Sequence, residues 1–177
     1  PFDARLRRQA FYAQDEWEIS PQWQLYLGLR HERIRTESRG TTDTVNNNSS
    51  VLSPLVHVTY KFDEKGRDQV RASLTRSYRS PNLGQLIGRP SVSRTEPAPG
   101  ANSELTADSA GNPALKPEVA IGIDIAIERY LADGGVLSAN LFHRRISDLI
   151  RSVVALEDVS WSPGQPRYVA RPQNIGK

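Results

Sequence analysis

A strict two-residue alternation between Val119 and Ile127 is the strongest constraint on how this chain can fold. Every odd position in that segment is Val or Ile, whereas the even positions are Ala, Gly or Asp. Successive side chains of a strand point to opposite faces, whereas an amphipathic helix repeats every ~3.6 residues. The segment is therefore predicted to form a strand with one aliphatic face and one small or charged face, as expected between an apolar phase and water.

Related alternation recurs along the chain and predicts further strands. With boundary errors of ~2–4 residues, we expect strands at 9–19, 23–34, 52–62, 69–79, 118–131 and 136–149, and a weaker one at 167–173. No segment has a convincing amphipathic helical pattern. Most of these strands, at roughly 11 to 14 residues, exceed the ~5–6 typical of soluble sheets and suit a tilted membrane strand of ~9–11 residues with extensions.

The connections predict how the strands are arranged. Short turns at 20–22, 63–68 and 132–135 alternate with long connections at 35–51, 80–117 and 150–166. One rim of short turns and one of long loops is typical of an outer-membrane β-barrel. Trp17, Trp23, Tyr60 and Phe62 fall near the short-turn ends, where an aromatic girdle is expected. The predicted fold class is all-β, an antiparallel up-and-down meander over residues 1–177 that forms part of a large barrel.

Composition removes several classes of function. The chain has no Cys, which excludes disulfide scaffolds, cysteine-based zinc sites and cysteine nucleophiles. Its longest apolar runs, 10–13 and 153–156, are far shorter than the ~20 residues of a membrane helix. The net charge is only +3 and the basic residues are dispersed, so nucleic-acid binding is not expected.

Catalytic and metal chemistry also lacks support in the sequence. His31, His57 and His143 lie on different predicted strands, with no second ligand at a chelating spacing. Neighbouring carboxylates such as Asp15 and Glu16 point to opposite faces of a strand and cannot share a proton. There is no nucleophile elbow, phosphate loop or zinc-protease motif. We therefore expect no enzyme activity, no catalytic residues, no metal and no cofactor.

Several short segments, in their order along the chain, resemble the barrel of TonB-dependent outer-membrane receptors. They are residues 11–17 (FYAQDEW), 28–32 (GLRHE), 52–54 (LSP), 77–83 (SYRSPNL), 112–118 (NPALKPE), 148–150 (DLI) and 173–177 (QNIGK). Asn-Pro-x-Leu-Lys-Pro-Glu is the most specific of them. The resemblance covers about residues 11–177.

The resemblance implies active uptake of a scarce ligand, such as a ferric siderophore, across a bacterial outer membrane. It implies a barrel of about 22 strands with an N-terminal plug, opened by energy that the TonB complex relays from the inner membrane. No plug or TonB-box-like segment precedes Pro1, and the usual terminal aromatic signal is absent, so we expect a piece of the parent barrel. Such a piece has open strand edges and is expected to self-associate through them.

Candidate site residues follow from the same strands. On the inward face near the long loops, Arg79, Arg89 and Arg144 are candidates for holding an anionic ligand by charge-assisted hydrogen bonds; internal charge pairing is the alternative. The motif of Asn112, Pro113, Leu115, Lys116, Pro117 and Glu118 is expected to be structural, because its prolines fix φ and withhold donors where the long loop ends.

Two other classes remain open at this point. An autonomous soluble β-sandwich or adhesin-like module would place the Ile stripe against a second sheet instead of lipid. A passive porin is a third reading, disfavoured because the motifs are not those of porins.

Overall fold

The computed structural model describes residues 3–39, 44–63, 67–87 and 89–176. Its strands are β1 (Asp3–Glu18), β2 (Trp23–Arg39), β3 (Thr44–Lys61), β4 (Gln69–Arg79), β5 (Asp108–Ser109), β6 (Glu118–Tyr130), β7 (Val136–Ser147), β8 (Leu149–Glu157) and β9 (Arg167–Ile175). Between β4 and β5 lie a short helix, α1 (Leu83–Ile87), and a 3-10 turn (Glu104–Thr106). No helix in this part of the chain is long and apolar enough to cross a membrane.

The strands form two sheets. The larger has six strands in the order β1-β2-β3-β4-β6-β7, all antiparallel. The smaller has the order β5-β9-β8, in which β5 and β9 run parallel. The predicted all-β antiparallel meander is therefore confirmed. Among the described strands, β1 and β7 have a partner on one side only, so the large sheet is not closed.

The register places the apolar stripes of β2, β3, β4 and β6 on one face, whereas Phe142 and Ile146 of β7 lie on the other. Directly paired residues share a face of an antiparallel sheet, and one row runs through Leu27, Val56, Leu74 and Ile123. Ile121, Ile123, Ile125 and Ile127 each keep 45–46% of their surface exposed. The second sheet of a soluble sandwich would cover such residues, but β5, β8 and β9 do not.

The aromatic residues lie where the predicted girdle required them. Trp23, Tyr60 and Phe62 meet at the short-turn end of the apolar face, with ring centroids 4.7 Å apart for Trp23–Tyr60 and 5.3 Å for Tyr60–Phe62. Asp15, which interrupts the stripe on β1, accepts a 2.6 Å hydrogen bond from the indole N–H of Trp17. The indole thus pairs with the carboxylate that interrupts the apolar positions of β1.

The predicted long loop at 35–51 is wrong over most of its length. β2 continues to Arg39 and β3 begins at Thr44, paired residue by residue; residues 40–43 lie outside the described part. The Asn- and Ser-rich composition of this region is typical of a loop, and the loop was predicted for that reason. A strand that extends beyond an apolar layer needs no apolar stripe, so its composition can be equally polar. Here its buried side, which includes Glu32, Ile34 and Thr36, packs under the connection between β4 and β6. β1 likewise begins at Asp3, six residues before its predicted start.

Two further boundaries differ near the end of the chain. The predicted strand 136–149 ends at Ser147, because Asp148 adopts a positive φ of 55°; Asp148 therefore lies between strands and not on the inward face of one. Residues 150–157 of the predicted loop 150–166 belong to β8, which pairs with β9. The continuous apolar run Val153 to Leu156 lacks alternation, and this hid the strand. The predicted loop 80–117 also contains α1 and β5.

Candidate functional site

The polar face of the large sheet carries cross-strand pairs of charged and amide groups. Arg71 contacts Glu128, which also accepts a 2.9 Å hydrogen bond from the Gln69 amide. On neighbouring strands, the Tyr26 hydroxyl donates to Gln14 at 2.9 Å. Arg144 lies 3.8 Å from Asp124. Many of the charged and amide groups on this face are thus paired with one another.

Above that face, a loop domain forms from residues 80–87 and 89–117 and the hairpin of β8 and β9. Its apolar centre is small: Leu86 of α1, Leu115 and Ile150 of β8 are buried together, with Ile87 against them. Because so few apolar residues are buried in the loop domain, polar contacts hold much of it together. Two polar clusters do so, one at each end of the domain.

The first cluster is a buried ion pair between Asp108 of β5 and Arg167 of β9, both fully inaccessible. Arg167 binds both carboxylate oxygens, with Nε at 2.6 Å and Nη2 at 2.8 Å. It also donates to the backbone oxygens of Gly100 at 2.5 Å and Glu96 at 2.7 Å. A bidentate guanidinium with further carbonyl acceptors is among the strongest polar arrangements in proteins.

Asp108 is satisfied from the other side as well. The Ser93 N–H and the Trp161 indole N–H donate to its two oxygens at 2.9 Å and 2.7 Å. The Arg167 guanidinium, against the opposing effect of burial and with help from Ser93 and Trp161, holds the pKa of Asp108 far below its ordinary value. The same pair raises the pKa of Arg167. The carboxylate is therefore charged at every physiological pH.

The second cluster is the segment 112–118, which connects the loop domain to the sheet through its backbone. The Asn47 amide of β3 donates to the carbonyls of Pro113 at 2.8 Å and Leu115 at 2.9 Å. The Asn112 amide donates to Pro172 O at 2.9 Å, and Asn112 N donates to Gln85 O at 2.7 Å. The segment thereby contacts β3, α1 and β9 at once.

The end of this segment is held by Asn174 and Arg79. Asn174 of β9 accepts from Lys116 N at 2.8 Å and donates to Lys116 O at 2.9 Å. Glu118, which is buried, accepts from Arg79 and from Ile150 N, both at 2.7 Å. Leu115 is 2% exposed. The polar groups of Lys116 and Glu118 named here are thus hydrogen-bonded to other parts of the same chain.

The structure separates the three arginines considered for ligand binding. Arg79 and Arg144 lie on the polar face of β4 and β7, on either side of β6, with side chains 68% and 63% exposed. Arg89 follows α1 and lines a cleft of about 350 Å³ together with Gln85, Ser109, Ser152 and Pro172. Two of the three therefore face the space beside the sheet, and the third faces the loop domain.

Sequence reasoning missed Asp108, Trp161 and Arg167. The two charged residues are 59 positions apart, and nothing in the sequence around either one indicates its partner. The same holds for Asn47 and Asn174. In the part of the chain that the structure describes, no group of three or more His, Asp or Glu side chains is placed to hold a metal ion.

A family model decides the classification. The model of the TonB-dependent receptor-like β-barrel matches residues 1–177. The chain belongs to the TonB-dependent receptor family. A search of curated protein sequences found no match.

Solved receptors have a similar fold. The siderophore receptor PiuA from Acinetobacter baumannii matches with a TM-score of 0.54 and 21% identity, over 96% of this chain and 22% of that one. The hemophore receptor HasR of Serratia marcescens, solved as a double mutant with its hemophore HasA and heme, matches with a TM-score of 0.59 and 16% identity, over 92% and 29%. The siderophore receptor PirA from Pseudomonas aeruginosa gives 0.53 and 15%, over 97% and 37%. The chain thus spans about a fifth to two fifths of these receptors.

Proposed function

We propose that this chain forms part of the wall and mouth of an outer-membrane receptor that imports an iron compound of the ferric siderophore type, with energy supplied through the TonB complex. The family match over residues 1–177 carries the proposal. The sheet supports it, since the stripes of β2, β3, β4 and β6 give one face an exposed apolar surface while the other face carries paired polar groups. The siderophore receptors with a similar fold favour the ligand class.

Within this proposal, Arg79, Arg89 and Arg144 contribute positive charge toward an anionic ligand. Arg79 and Arg144 each have a carboxylate neighbour, Glu118 and Asp124, yet most of each side chain remains accessible. A guanidinium offers five N–H donors, so one carboxylate does not exhaust it. Ligand oxygens are therefore expected to bind donors that the internal pairs leave over.

Uptake by the complete receptor tests this function. Cells that depend on the receptor for iron are supplied with labelled iron as a ferric siderophore or as heme, with and without an intact TonB complex. Energy-dependent uptake of the siderophore supports the proposal. Uptake of heme alone would show that the imported ligand is heme and not a ferric siderophore. Uptake that persists without TonB would overturn the proposed energy source.

A further inference from the structure

Four arginines lie together on the apolar face of the large sheet, beyond the end of its apolar stripe. Arg5 and Arg7 of β1 and Arg33 and Arg35 of β2 form this arginine patch, and all four are exposed. Their odd-numbered positions share a face with Phe11 and Leu29. The opposite face of the β2–β3 extension is covered by the loop domain through Asn47. The patch is thus on the outer side, at the long-loop rim.

Among the described side chains around the patch, positive charge exceeds negative charge, although Arg5 is opposite Glu37. Arg7 is directly opposite Arg35 in the register, and Gln9 is opposite Arg33. Like charges placed directly across a strand pair destabilise it. Glu37 contacts Arg35 at 2.6 Å, but the next positions on the same face of β3, opposite Glu37, Arg35 and Arg33, are the neutral Asn46, Asn48 and Ser50. An anion bound between the guanidinium groups would remove this repulsion.

Small cavities lie where such an anion would bind. One of about 50 Å³ is lined by Arg5, Arg7, Arg35 and Glu37. Its neighbour, of about 160 Å³, is lined by Arg7, Gln9, Arg33 and Arg35. The larger cavity is the better place for a tetrahedral oxyanion, because three guanidinium groups and no carboxylate line it. Each guanidinium can donate two parallel N–H groups to a phosphate.

We propose that the arginine patch binds the phosphate of a membrane lipid whose acyl chains lie along the adjoining apolar stripe. A lipid is favoured over a free ion because the same face continues from the patch through Phe11 to Ala13 and Leu29, so that headgroup and chains contact one surface. Basic clusters beside membrane-spanning segments bind anionic headgroups in this way. The inference rests on the membrane location proposed above and not on the imported ligand.

Lipid retention by the complete receptor tests the proposal. The receptor is placed in phosphatidylcholine nanodiscs that contain either bis-phosphorylated lipid A or the same lipid without phosphates, and bound lipid is measured by native mass spectrometry. We expect retention of the phosphorylated form. The variant Arg7→Gln/Arg35→Gln should weaken it by about fivefold for each guanidinium removed. Arg8→Gln is the matched control, because Arg8 is exposed on the opposite face of β1.

The outcomes are distinguishable. Equal retention of both lipids, or an equal loss in Arg8→Gln, would overturn the proposal. Displacement of the lipid by inorganic phosphate at comparable concentration would show a free-ion site instead. The single variant Arg33→Gln gives a second measurement should the double variant fold poorly, and far-UV circular dichroism reports folding. Uptake that persists while lipid retention is absent would leave the proposed function intact and reject the lipid site alone.

Discussion

The side chain of Asn174 pairs with the backbone of Lys116 as a neighbouring strand would, accepting from its N–H at 2.8 Å and donating to its carbonyl at 2.9 Å. The same amide nitrogen donates to Asp148 O at 2.7 Å, at the break between β7 and β8. One amide therefore connects the end of the long connection to the beginning of the hairpin.

Replacing Asn174 should loosen the loop domain from the barrel. Asn174→Ala removes one acceptor and two donations, and each lost hydrogen bond costs about 1 kcal/mol. We expect faster amide exchange of Lys116 and of β9 in the complete receptor, measured by hydrogen exchange and mass spectrometry. Asn46→Ala is the control, because Asn46 is exposed on the outer side of β3. Unchanged exchange in Asn174→Ala would contradict the role assigned to this amide.

Asp108→Asn should destabilise the loop domain far more. It leaves the Arg167 guanidinium buried without its counter-charge, a change that costs about 3–5 kcal/mol in buried ion pairs. Limited proteolysis of the complete receptor should then cleave within residues 89–117, while the large sheet stays resistant. Asp158→Asn, at an exposed position between β8 and β9, should leave the cleavage pattern unchanged. Equal resistance of both variants would refute the prediction.

Stability of the loop domain should also depend on pH through Asp108. Its pKa in the folded protein is lowered, so its contribution is fully present above the ordinary pKa of about 3.9 and is lost as the pH falls below that value. Proteolytic resistance of residues 89–117 to an acid-active protease should decline between about pH 4 and pH 2. The Asp108→Asn variant should lack this component, and an identical acid profile in both proteins would exclude Asp108 as its origin.

Leu115→Ala tests the apolar centre of the same domain. Leu115 is 2% exposed against Leu86 and Ile150, and truncating a buried Leu costs about 2–5 kcal/mol. Leu105→Ala provides a close comparison, since Leu105 belongs to the same connection and is 98% exposed. Thermal unfolding followed by proteolysis should show a lower midpoint for Leu115→Ala only. A similar midpoint for the two variants would show that the centre contributes little.

Ile123→Arg tests the outer face of the large sheet. Arg on the lipid side near the middle of a bilayer costs about 2–4 kcal/mol, so folding into lipid vesicles, followed by heat-modifiable gel mobility, should fall. Ser73→Arg places the same charge on the polar face, opposite Asp124, and should fold normally. Impaired folding of Ser73→Arg with normal Ile123→Arg would reverse the assignment of the two faces.

Local alternation predicted the large sheet because neighbouring residues are enough to show which face of a strand is apolar. Ile121 to Ile127 and the stripe of β2 needed no information from elsewhere in the chain. Where a strand leaves the apolar layer, as at Asn46 to Ser50, its composition no longer differs from that of a loop. β8 was missed for a related reason, because Val153 to Leu156 is apolar on both sides.

The loop domain depends on pairings that a single sequence does not reveal. Asp108 and Arg167 are separated by all of β6, β7 and β8, and the Asn47 side chain binds residues 66 and 68 positions away. The segment 112–118 was expected to be structural because of its prolines. In the structure, its backbone carbonyls and N–H groups make most of the connections, and these depend on partners distant in sequence.

The two halves of the loop domain lie on either side of β6 and β7 in the chain. Asp108 precedes that hairpin and Arg167 follows it. The ion pair therefore forms only when β7 brings the chain back to the rim at which β6 begins. A hairpin displaced by two residues would keep its stripe on the correct face yet shift β8 and β9 away from Asp108 and Lys116. The loop domain therefore forms its ion pair and its Asn174 contacts only in the observed register, a condition that hydrophobic matching alone does not impose.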